Sequence, residues 1–433
     1  MKTFEQMGIQ IPEILLPENL DVSTWSVVAC DQYTQDRDYW KSVEKAAENK
    51  PSSLNIILPE VYLNDSDKPA RIEKIRKTMN SYLEGGVFAS PSREFIYVER
   101  KTAYGRMRHG LVAAIDLETY EWKPFSKALI RATEATIVER IPPRMEIRRG
   151  APLESPHIML LVNDPEHILV EGTGERVKAA SPLYSGSLMQ NSGSISGWKV
   201  SEASDLEYVR LSMEKIADAN TASDGSVFLF AVGDGNHSLA TAKAVWDEYK
   251  AAHPEDKDSS VRYALVEIVN IYDSGLTFEP IHRVVFKSNP EKLISFLEKS
   301  LSGKVEVLSS SSALEEAVKK SHADFGFVYK TSEGQKYVLL RTDIKDLAVS
   351  RLQPALDEYL SSEKTCEIDY IHGAQEVFRL GAMDDSVGIL LPPVAKDSFF
   401  ATINGRGPLP RKSFSMGEAD EKRFYLECRR LFK

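Results

Sequence analysis

Cysteine is scarce in this 433-residue chain, which contains only Cys30, Cys366 and Cys428. The three lie far apart and match no paired spacing of a metal site, so we expect reduced thiols, as in the cytoplasm. The N-terminus has no charged-then-apolar signal pattern, and no apolar run approaches the ~20 residues that a membrane span needs. These absences predict a cytoplasmic protein without a membrane partner.

Positive charge is in deficit, with 54 Lys and Arg residues against 64 Asp and Glu, a formal net charge of −10. This balance argues against broad binding to nucleic acid, although it is compatible with a local basic pocket for a small anion. The chain also lacks the Walker P-loop, the dinucleotide fingerprint, the His-Glu-x-x-His zinc motif and the Gly-x-Ser-x-Gly elbow. Nothing in the sequence therefore points to zinc, haem, flavin or NAD.

The composition that is present, with 42% hydrophobic and 27% charged residues, is typical of a globular protein. Alternating strand and helix patterns predict an α/β (mixed α+β) fold, with a mixed central sheet and flanking helices. The length predicts two or three domains. We expect an N-terminal α/β segment (1–90), a core domain (91–288), a small inserted α+β subdomain (289–346) and a C-terminal segment that packs back on the core (347–433).

Several local patterns give more specific expectations. Short apolar runs predict strands over residues 25–30, 54–59 and 167–171. The Ser- and Gly-rich stretch 181–198 has no clear periodicity, which predicts a long loop or mobile flap.

The most informative stretch is an apolar run from Val227 to Val232 that leads into Gly-Asp-Gly-Asn-His-Ser and then a helical pattern over 239–250. The short Val- and Phe-rich run predicts a buried strand, and the following spacing predicts an amphipathic helix. A strand, turn and helix in this order direct backbone N–H groups and the helix dipole toward an anion. Asn236 or Ser238 is expected to cap the helix. Residues 234–238, the 234–238 turn, are the main candidate for an active or binding site.

Two residues of this turn have side chains suited to catalysis. His237 is a candidate general base or phosphate-orienting group, and Asp234 is a candidate partner for it or a ligand of Mg²⁺. The alternative is an ordinary glycine-rich connection in which both side chains satisfy local backbone groups.

Arginines are concentrated in the stretch that follows Ile130. Guanidinium groups bind phosphate or carboxylate with two parallel hydrogen bonds, which makes these residues candidates for gripping an anion. The alternative is a solvated basic face or ion pairs with Glu134, Glu139 and Glu146. The arginines concerned are Arg131, Arg140, Arg144, Arg148 and Arg149.

Three further positions are weaker candidates. Asp31 follows a predicted strand and is either a catalytic carboxylate or a turn residue. His282 and Arg283 lie between apolar runs, where a buried histidine is commonly a core residue. Arg411 and Lys412 either reach an anion or solvate the tail.

Five motif stretches occur in the order typical of domain-of-unknown-function family 1015, and the resemblance spans nearly the whole chain. That family is bacterial and archaeal, cytoplasmic and largely uncharacterised. The stretches in this sequence are Ala-Cys-Asp-Gln-Tyr-Thr at 29–34, Ile-Arg-Ala-Thr-Glu at 130–134, Gly-Asp-Gly-Asn-His-Ser at 233–238, Pro-Ile-His-Arg at 280–283 and Pro-Arg-Lys-Ser at 410–413.

The central turn is also similar to a turn in the ParB/sulfiredoxin-like group, which includes nucleotide-dependent kinases of free serine. This resemblance implies a ParB/sulfiredoxin-like core, with nucleotide phosphates at the amides of residues 235–238 and His237 beside them. The commoner family form is Asp-Gly-His-His-Arg, so Asn236 replaces a histidine and Ser238 replaces an arginine. The loss of that arginine removes a phosphate donor, which Arg131 or Arg140 would have to replace.

We expect a phosphate- or nucleotide-binding enzyme, most concretely a phosphotransferase that uses ATP or ADP with Mg²⁺ and acts on a small hydroxylated metabolite such as serine. The alternatives are a non-catalytic nucleotide- or metabolite-binding regulatory protein and a hydrolase of a small phosphorylated or acylated metabolite. The sequence leaves the oligomeric state open, a homodimer included. Candidate catalytic residues are Asp31, Glu134, Asp234 (also the candidate Mg²⁺ ligand) and His237. Candidate phosphate- or nucleotide-binding residues are Gly235, Asn236, Ser238, Arg131, Thr133, Arg140, His282, Arg283, Arg411 and Lys412.

Overall fold

The computed structural model describes residues 1–155 and 157–432, which form two compact units. The first unit comprises residues 1–276 together with the C-terminal segment from residue 417, and the second comprises residues 277–416. The second unit therefore interrupts the chain of the first.

The first unit is built from strands and helices that alternate irregularly along the chain. Its strands are β1 (Ile9–Gln10), β2 (Glu13–Ile14), β3 (Ser92–Arg93), β4 (Phe95–Lys101), β5 (Met107–Asp116), β6 (Tyr120–Glu121), β7 (Ile130–Ala132), β8 (Leu153–Glu154), β9 (Met159–Val162), β10 (Tyr184–Ser187), β11 (Ser194–Val200), β12 (Phe230–Asp234) and β13 (Tyr263–Asn270). Its helices are α1 (Val22–Trp25), α2 (Arg37–Ala46), α3 (Lys68–Glu84), α4 (Ile141–Arg148), α5 (Val170–Val177), α6 (Ala203–Ala219) and α7 (Asn236–Ala252).

Most of these strands join a mixed sheet, in the order β10-β11-β4-β5-β13-β9-β12-β7-β6, with β1 paired to β5. The pairs β6–β7, β7–β12 and β9–β13 are parallel, and the other neighbouring pairs of this sheet are antiparallel. Parallel β7 and β12 end at the same edge of the sheet, which brings the residues after both strands together.

Helices cover both faces of this sheet, because alternate strand residues point to opposite sides. On one face, the core contains Leu111, Leu160 and Val232 of the sheet, packed with apolar residues of α5, α6 and α7. On the other face, Val98 and Val112 pack with apolar residues of α1 to α3 and of the C-terminal segment. The predicted mixed central sheet with flanking helices is confirmed.

The second unit contains a six-stranded antiparallel sheet, in the order β16-β18-β17-β20-β15-β19. Its strands are β14 (Glu279–Pro280), β15 (His282–Phe286), β16 (Lys304–Leu308), β17 (Phe325–Thr331), β18 (Gly334–Arg341), β19 (Glu367–Ile371), β20 (Ser386–Leu390) and β21 (Phe414–Ser415). Its helices are α8 (Pro290–Ser300), α9 (Ser311–Lys319), α10 (Val349–Ser362), α11 (Ala374–Gly381) and α12 (Lys396–Arg406).

The predicted subdomain 289–346 supplies β16 to β18 of this sheet, and residues outside it supply β15, β19 and β20. Its separate folding, like the other predicted domain boundaries, stays a prediction. After the second unit, the chain returns to the first unit and adds β22 (Arg429–Arg430), which pairs with β8. None of the helices in the described residues has the length and apolar character needed to cross a bilayer.

Three predicted strands are wrong. In the stretch 25–30, Trp25 ends α1, which the Asp21 side chain caps by accepting a hydrogen bond from Ser23 N at 3.1 Å, and Val28 makes an isolated bridge to Phe424 instead of a strand. The stretch 54–59 contains part of a 3₁₀ turn, Ser53–Ile56, and residues 170–171 begin α5. Short apolar runs alone do not distinguish a buried strand from a buried helical turn.

The loop predicted over 181–198 is also wrong, because this stretch contains β10 and most of β11. Its small residues serve close packing rather than mobility. A Cβ on Gly197 would lie 2.2 Å from the Tyr184 ring, and one on Gly186 would lie 2.8 Å from Val22 Cβ. The glycines allow side chains from neighbouring elements to lie directly on the strand backbone.

Candidate functional site

The 234–238 turn joins β12 to α7 through one residue with left-handed backbone geometry. Gly235 has φ +81°, a region that glycine adopts without strain. A Cβ at this position would lie 3.1 Å from Ile158 Cγ1 and 3.2 Å from its Cα, so the backbone at Gly235 approaches the residue before β9 closely. The geometry of the turn is thus fixed by both backbone conformation and packing.

Helix α7 begins at Asn236 with no side-chain cap, so the expected capping by Asn236 or Ser238 is wrong. Gly235 occupies the N-cap position, and Leu239 N donates the first helical hydrogen bond to Gly235 O at 2.9 Å. The amides of residues 236–238 precede that bond and lie at the positive end of the helix dipole.

The parallel pairing of β7 and β12 places Thr133 beside this turn. Thr133 Oγ1 donates to Val232 O at 2.6 Å and accepts from Asn236 Nδ2 at 3.4 Å. Asn236 Oδ1 is buried and has no hydrogen-bond partner within the described residues. Glu134 follows directly in the loop after β7, where it is partly buried.

His237 is held by the loop between β7 and α4. Its Nε2 accepts a hydrogen bond from Ile137 N at 3.3 Å, and its carbonyl accepts from Thr241 Oγ1 at 2.7 Å. The ring and the backbone are therefore both positioned by neighbouring groups.

Asp234 ends β12 and forms an ion pair that the sequence did not suggest. Its Oδ1 accepts from Gly235 N at 3.0 Å, and its Oδ2 lies 3.5 Å from Lys422 Nζ. The side chains of Lys422 and Asp234 are only 14% and 18% exposed. Lys422 was missed because it lies in Asp-Glu-Lys-Arg, a charged run near the C-terminus that is typical of a solvated surface.

Asp31 belongs to the same group of charges. Burial raises the pKa of its carboxyl, but the His157 imidazole, a hydrogen bond from Gln32 and the charge of Lys422 together hold the pKa below its usual value. His157 Nε2 lies 3.8 Å from Asp31 Oδ2, and Gln32 Nε2 donates to Asp31 Oδ1 at 3.0 Å. The charge of Lys422 thus acts on Asp31, and the same lysine forms the ion pair with Asp234.

A hydrogen-bonded chain fixes this side of the site. His157 Nδ1 lies 2.7 Å from the Tyr425 hydroxyl, which also accepts from Cys30 N at 3.2 Å. His157 is the neighbour of Ile158, which packs against Gly235. The chain therefore connects the segment that carries Asp31 to the 234–238 turn.

The arginines after Ile130 mostly form ion pairs, as the alternative interpretation held, but with other partners. Arg144 pairs with Glu60, Arg148 with Glu154 and Arg149 with Glu248. Arg140 is exposed, and its carbonyl accepts from Arg144 Nη1 at 2.7 Å.

Arg131 lies away from the turn. Its Nε donates to Ala128 O at 2.8 Å, and its guanidinium lies 4.5 Å from the centre of the Phe228 ring. Ala128 and Phe228 precede β7 and β12, so this side chain reaches the opposite ends of the two strands from Asp234. Burial also lowers the pKa of the guanidinium.

The remaining candidates belong to the second unit. His282 is buried, its Nδ1 accepts from Leu391 N at 3.1 Å, and burial together with the charge of Arg283 lowers its pKa to about 4. Arg283 is buried beside Gln353, to which its Nε donates at 2.9 Å. These contacts are those of core residues, whereas Arg411 and Lys412 are exposed.

The donor set at the turn fits Mg²⁺ only in part. Asp234 offers one carboxylate, the type of ligand that Mg²⁺ prefers. Within residues 1–155 and 157–432, no group of three or more His, Cys, Asp or Glu side chains is arranged to hold a metal. The turn thus offers a single candidate protein ligand for Mg²⁺, Asp234.

The chain belongs to the family described as "Protein of unknown function (DUF1015)", whose model matches residues 14–359. A search of curated proteins gives no match to it.

Solved structures show a distant likeness. A free serine kinase in complex with AMP is 12% identical, with a TM-score of 0.36, and the match covers 71% of this chain and 88% of that one. A conserved hypothetical protein from Pyrococcus furiosus is 12% identical, with a TM-score of 0.35 and coverage of 74% and 95%. C-terminally truncated SbnI from Staphylococcus aureus is 8% identical, with a TM-score of 0.36 and coverage of 72% and 85%. At this level of similarity, no ligand-binding residue of those structures is assigned to a residue of this chain.

Proposed function

We propose that this member of the DUF1015 family binds nucleotide phosphates at the 234–238 turn and transfers a phosphoryl group to a small hydroxylated metabolite. The observation that carries the proposal is the convergence, at the ends of β7 and β12, of an uncapped helix N-terminus with Thr133, Asn236 and His237. Backbone amides at such a helix end bind phosphate oxygens and add the favourable field of the helix dipole.

The side chains around the turn supply the groups that hold phosphates in place. His237 is the candidate side-chain contact to phosphate, because the hydroxyl proton of Thr133 is already donated to Val232 O. The unpartnered Asn236 Oδ1 marks an acceptor position for a donor of the ligand, such as a ribose hydroxyl. The Asp234 carboxylate is the residue that would hold a Mg²⁺ ion, and such an ion would supply positive charge to the phosphates.

Asp31 is the candidate general base for the acceptor. Because its pKa lies below the usual value, Asp31 is ionised at neutral pH but is a weak base, so it takes the proton of the substrate hydroxyl only as the bond to phosphorus forms. The hydroxyl oxygen bonds to the γ-phosphorus, the bond from that phosphorus to the bridging oxygen breaks, and the nucleoside diphosphate leaves. Glu134 is the second candidate for this role because it follows Thr133 at the same strand end.

Binding is tested by calorimetric titration of the wild-type chain with ATP, ADP, AMP and pyrophosphate in the presence of Mg²⁺. We expect ADP and ATP to bind, and His237→Ala to weaken them about tenfold, the loss typical of one charged or polar contact. His253→Ala is the matched control, because His253 lies at the other end of α7. The proposal fails if no nucleotide binds or if both variants behave like the wild type.

Transfer is tested by following ADP formation from ATP with sets of hydroxylated metabolites, serine included. We expect Asp31→Asn to lower turnover while the affinity for ADP changes little. Glu134→Gln, tested in parallel, decides between the two candidate bases. Binding without turnover would support a regulatory role instead, and phosphate release that needs no acceptor would support a hydrolase.

A further inference from the structure

Two arginines of the first unit hold the main chain of the C-terminal segment, residues 417–432. Arg100 donates to the carbonyls of Asp420, Glu421 and Lys422, and Arg108 donates to Glu421 O at 2.8 Å. Both arginines are buried. Burying a guanidinium group costs desolvation free energy, which its hydrogen bonds to main-chain carbonyls offset. These hydrogen bonds also fix the backbone.

The two residues on either side of Lys422 are fixed as well. Glu421 forms an ion pair with Arg106, and Arg423 forms buried ion pairs with Glu267 and Glu427. Because the residues before and after Lys422 are both fixed, the position of its Cα, and so the starting point of its side chain, is fixed as well.

In contrast to its neighbours, the ammonium group of Lys422 is poorly satisfied. Its Nζ lies 3.5 Å from Asp234 Oδ2 and makes no hydrogen bond to any residue in the described part of the chain. An ammonium group has three donors, and one that is mostly withdrawn from water ordinarily uses them. The remaining donors of Lys422 are available to an anion at the end of β12.

We propose that Lys422 is a phosphate-binding residue of the site at the 234–238 turn, delivered to it by the C-terminal segment. Bound phosphate shares the ammonium with Asp234, because the charge-assisted hydrogen bonds that it accepts from the remaining donors of Lys422 offset its repulsion by Asp234 and Asp31. This inference rests on the proposed function for the identity of the nucleotide. The inference does not depend on Mg²⁺. Lys422 itself lies outside the part of the chain that the family model matches.

The test uses the full chain and two probes, inorganic pyrophosphate and ADP, each titrated with Mg²⁺ and with EDTA. We expect Lys422→Met to weaken pyrophosphate about tenfold or more, the loss expected for a charge-assisted hydrogen bond. We expect Lys422→Arg to retain most of the affinity. Lys127→Met is the matched control, because Lys127 also pairs with a single aspartate, Asp224, at the other ends of the strands.

A second measurement needs no variant. Amine-reactive acetylation of the wild-type chain, followed by peptide mass spectrometry, gives the labelling rate of Lys422. We expect pyrophosphate to slow that rate at least about threefold and to leave the rate of Lys127 unchanged, since a charge-assisted contact occupies the amine.

The outcomes separate the two proposals. If pyrophosphate binds through Lys422 but no nucleotide binds, the role of Lys422 stands and the nucleotide function fails. In a second outcome, ADP binding depends on His237, but the Lys422→Met variant binds both probes like the wild type and pyrophosphate does not slow the labelling of Lys422. The role of Lys422 then fails and the proposed function stands. If neither probe binds the wild-type chain, both proposals fail.

Discussion

At the scale of single residues, Gly235 determines the shape of the site. We expect Gly235→Ala to lower the free energy of unfolding by about 1–3 kcal/mol, because alanine adds left-handed backbone strain and a close contact with Ile158. The control is Gly225→Ala, since Gly225 has a similar φ of +80° but open space around a Cβ. Urea unfolding measures both losses. Equal losses would show that packing against Ile158 does not constrain the turn.

Arg131 tests whether a side chain that extends toward the start of β7 contributes to the site. We expect Arg131→Leu to leave nucleotide affinity within about twofold, because the guanidinium lies far along the strand from Asp234. The same change should lower the free energy of unfolding by about 1–3 kcal/mol, through loss of the contacts with Ala128 and Phe228. Calorimetry and urea unfolding are run on one preparation. A large loss of affinity at unchanged stability would place Arg131 back in the site.

At the scale of secondary-structure elements, β10 and β11 replace the loop expected over 181–198. Strand β11 is hydrogen-bonded on both sides, to β10 and β4, whereas β10 lies at the edge of the sheet. We expect hydrogen exchange to be slow in both strands and slower in β11, since exchange requires these bonds to open. Peptide-level exchange measurements test this directly, and exchange at the rate of an unstructured segment would contradict it.

The β12 and α7 elements were predictable because their signals are local. An uninterrupted Val and Phe run, a glycine turn and helical apolar spacing lie within about 25 residues of each other, and each pattern is strong. The position of Thr133 beside the turn was partly predictable, since it also follows a strand. The Ser- and Gly-rich hairpin was not, because its stability comes from Tyr184 and Val22 packing over glycines rather than from its own composition.

Other features depend on contacts between residues far apart in the chain, which no local pattern encodes. Lys422 reaches Asp234 across almost 190 positions, within a charged run that is typical of exposed surface. The end of β7 that the Arg131 side chain reaches depends on its contacts with Ala128 and with Phe228 of another segment. Sequence patterns indicated the turn of the candidate site but not Lys422, which pairs with its Asp234.

At the scale of the whole molecule, the two units should respond differently to acid. His282 in the second unit has a pKa of about 4, below the value of about 6.5 in an unfolded chain. Between these values the unfolded state binds more protons, so the stability of the second unit falls as the pH drops from about 6.5 to about 4, by up to about 3 kcal/mol.

In the first unit the corresponding loss begins at lower pH. Burial raises the pKa of Glu267, but the charges of Arg423 and Arg108 lower it by more than burial raises it. The pKa of Glu267 in the folded protein therefore lies below its ordinary value. The stability that Glu267 contributes is present above the unfolded value of about 4.3 and is lost as the pH falls below it.

Hydrogen exchange between pH 7.5 and pH 4, corrected for the intrinsic rates, separates the two responses. We expect the second unit to lose protection first, and His282→Gln to remove most of its loss between pH 6.5 and pH 4.5. His253→Gln, which alters an exposed histidine of the first unit, is the control. Simultaneous loss of protection in both units of the wild-type chain would contradict the expectation.

The division of the first unit into two chain segments has a consequence for synthesis. During translation the nascent chain presents β12 and α7 long before the ribosome adds residues 417–432. Until then Arg100 and Arg108 lack the carbonyls, and Glu267 lacks the Arg423 partner, that residues 417–432 supply while residues 277–416 emerge and fold. The proposed site therefore gains its lysine only after residues 277–416 have been synthesised, and a chain terminated before residue 417 would carry the turn without the cation.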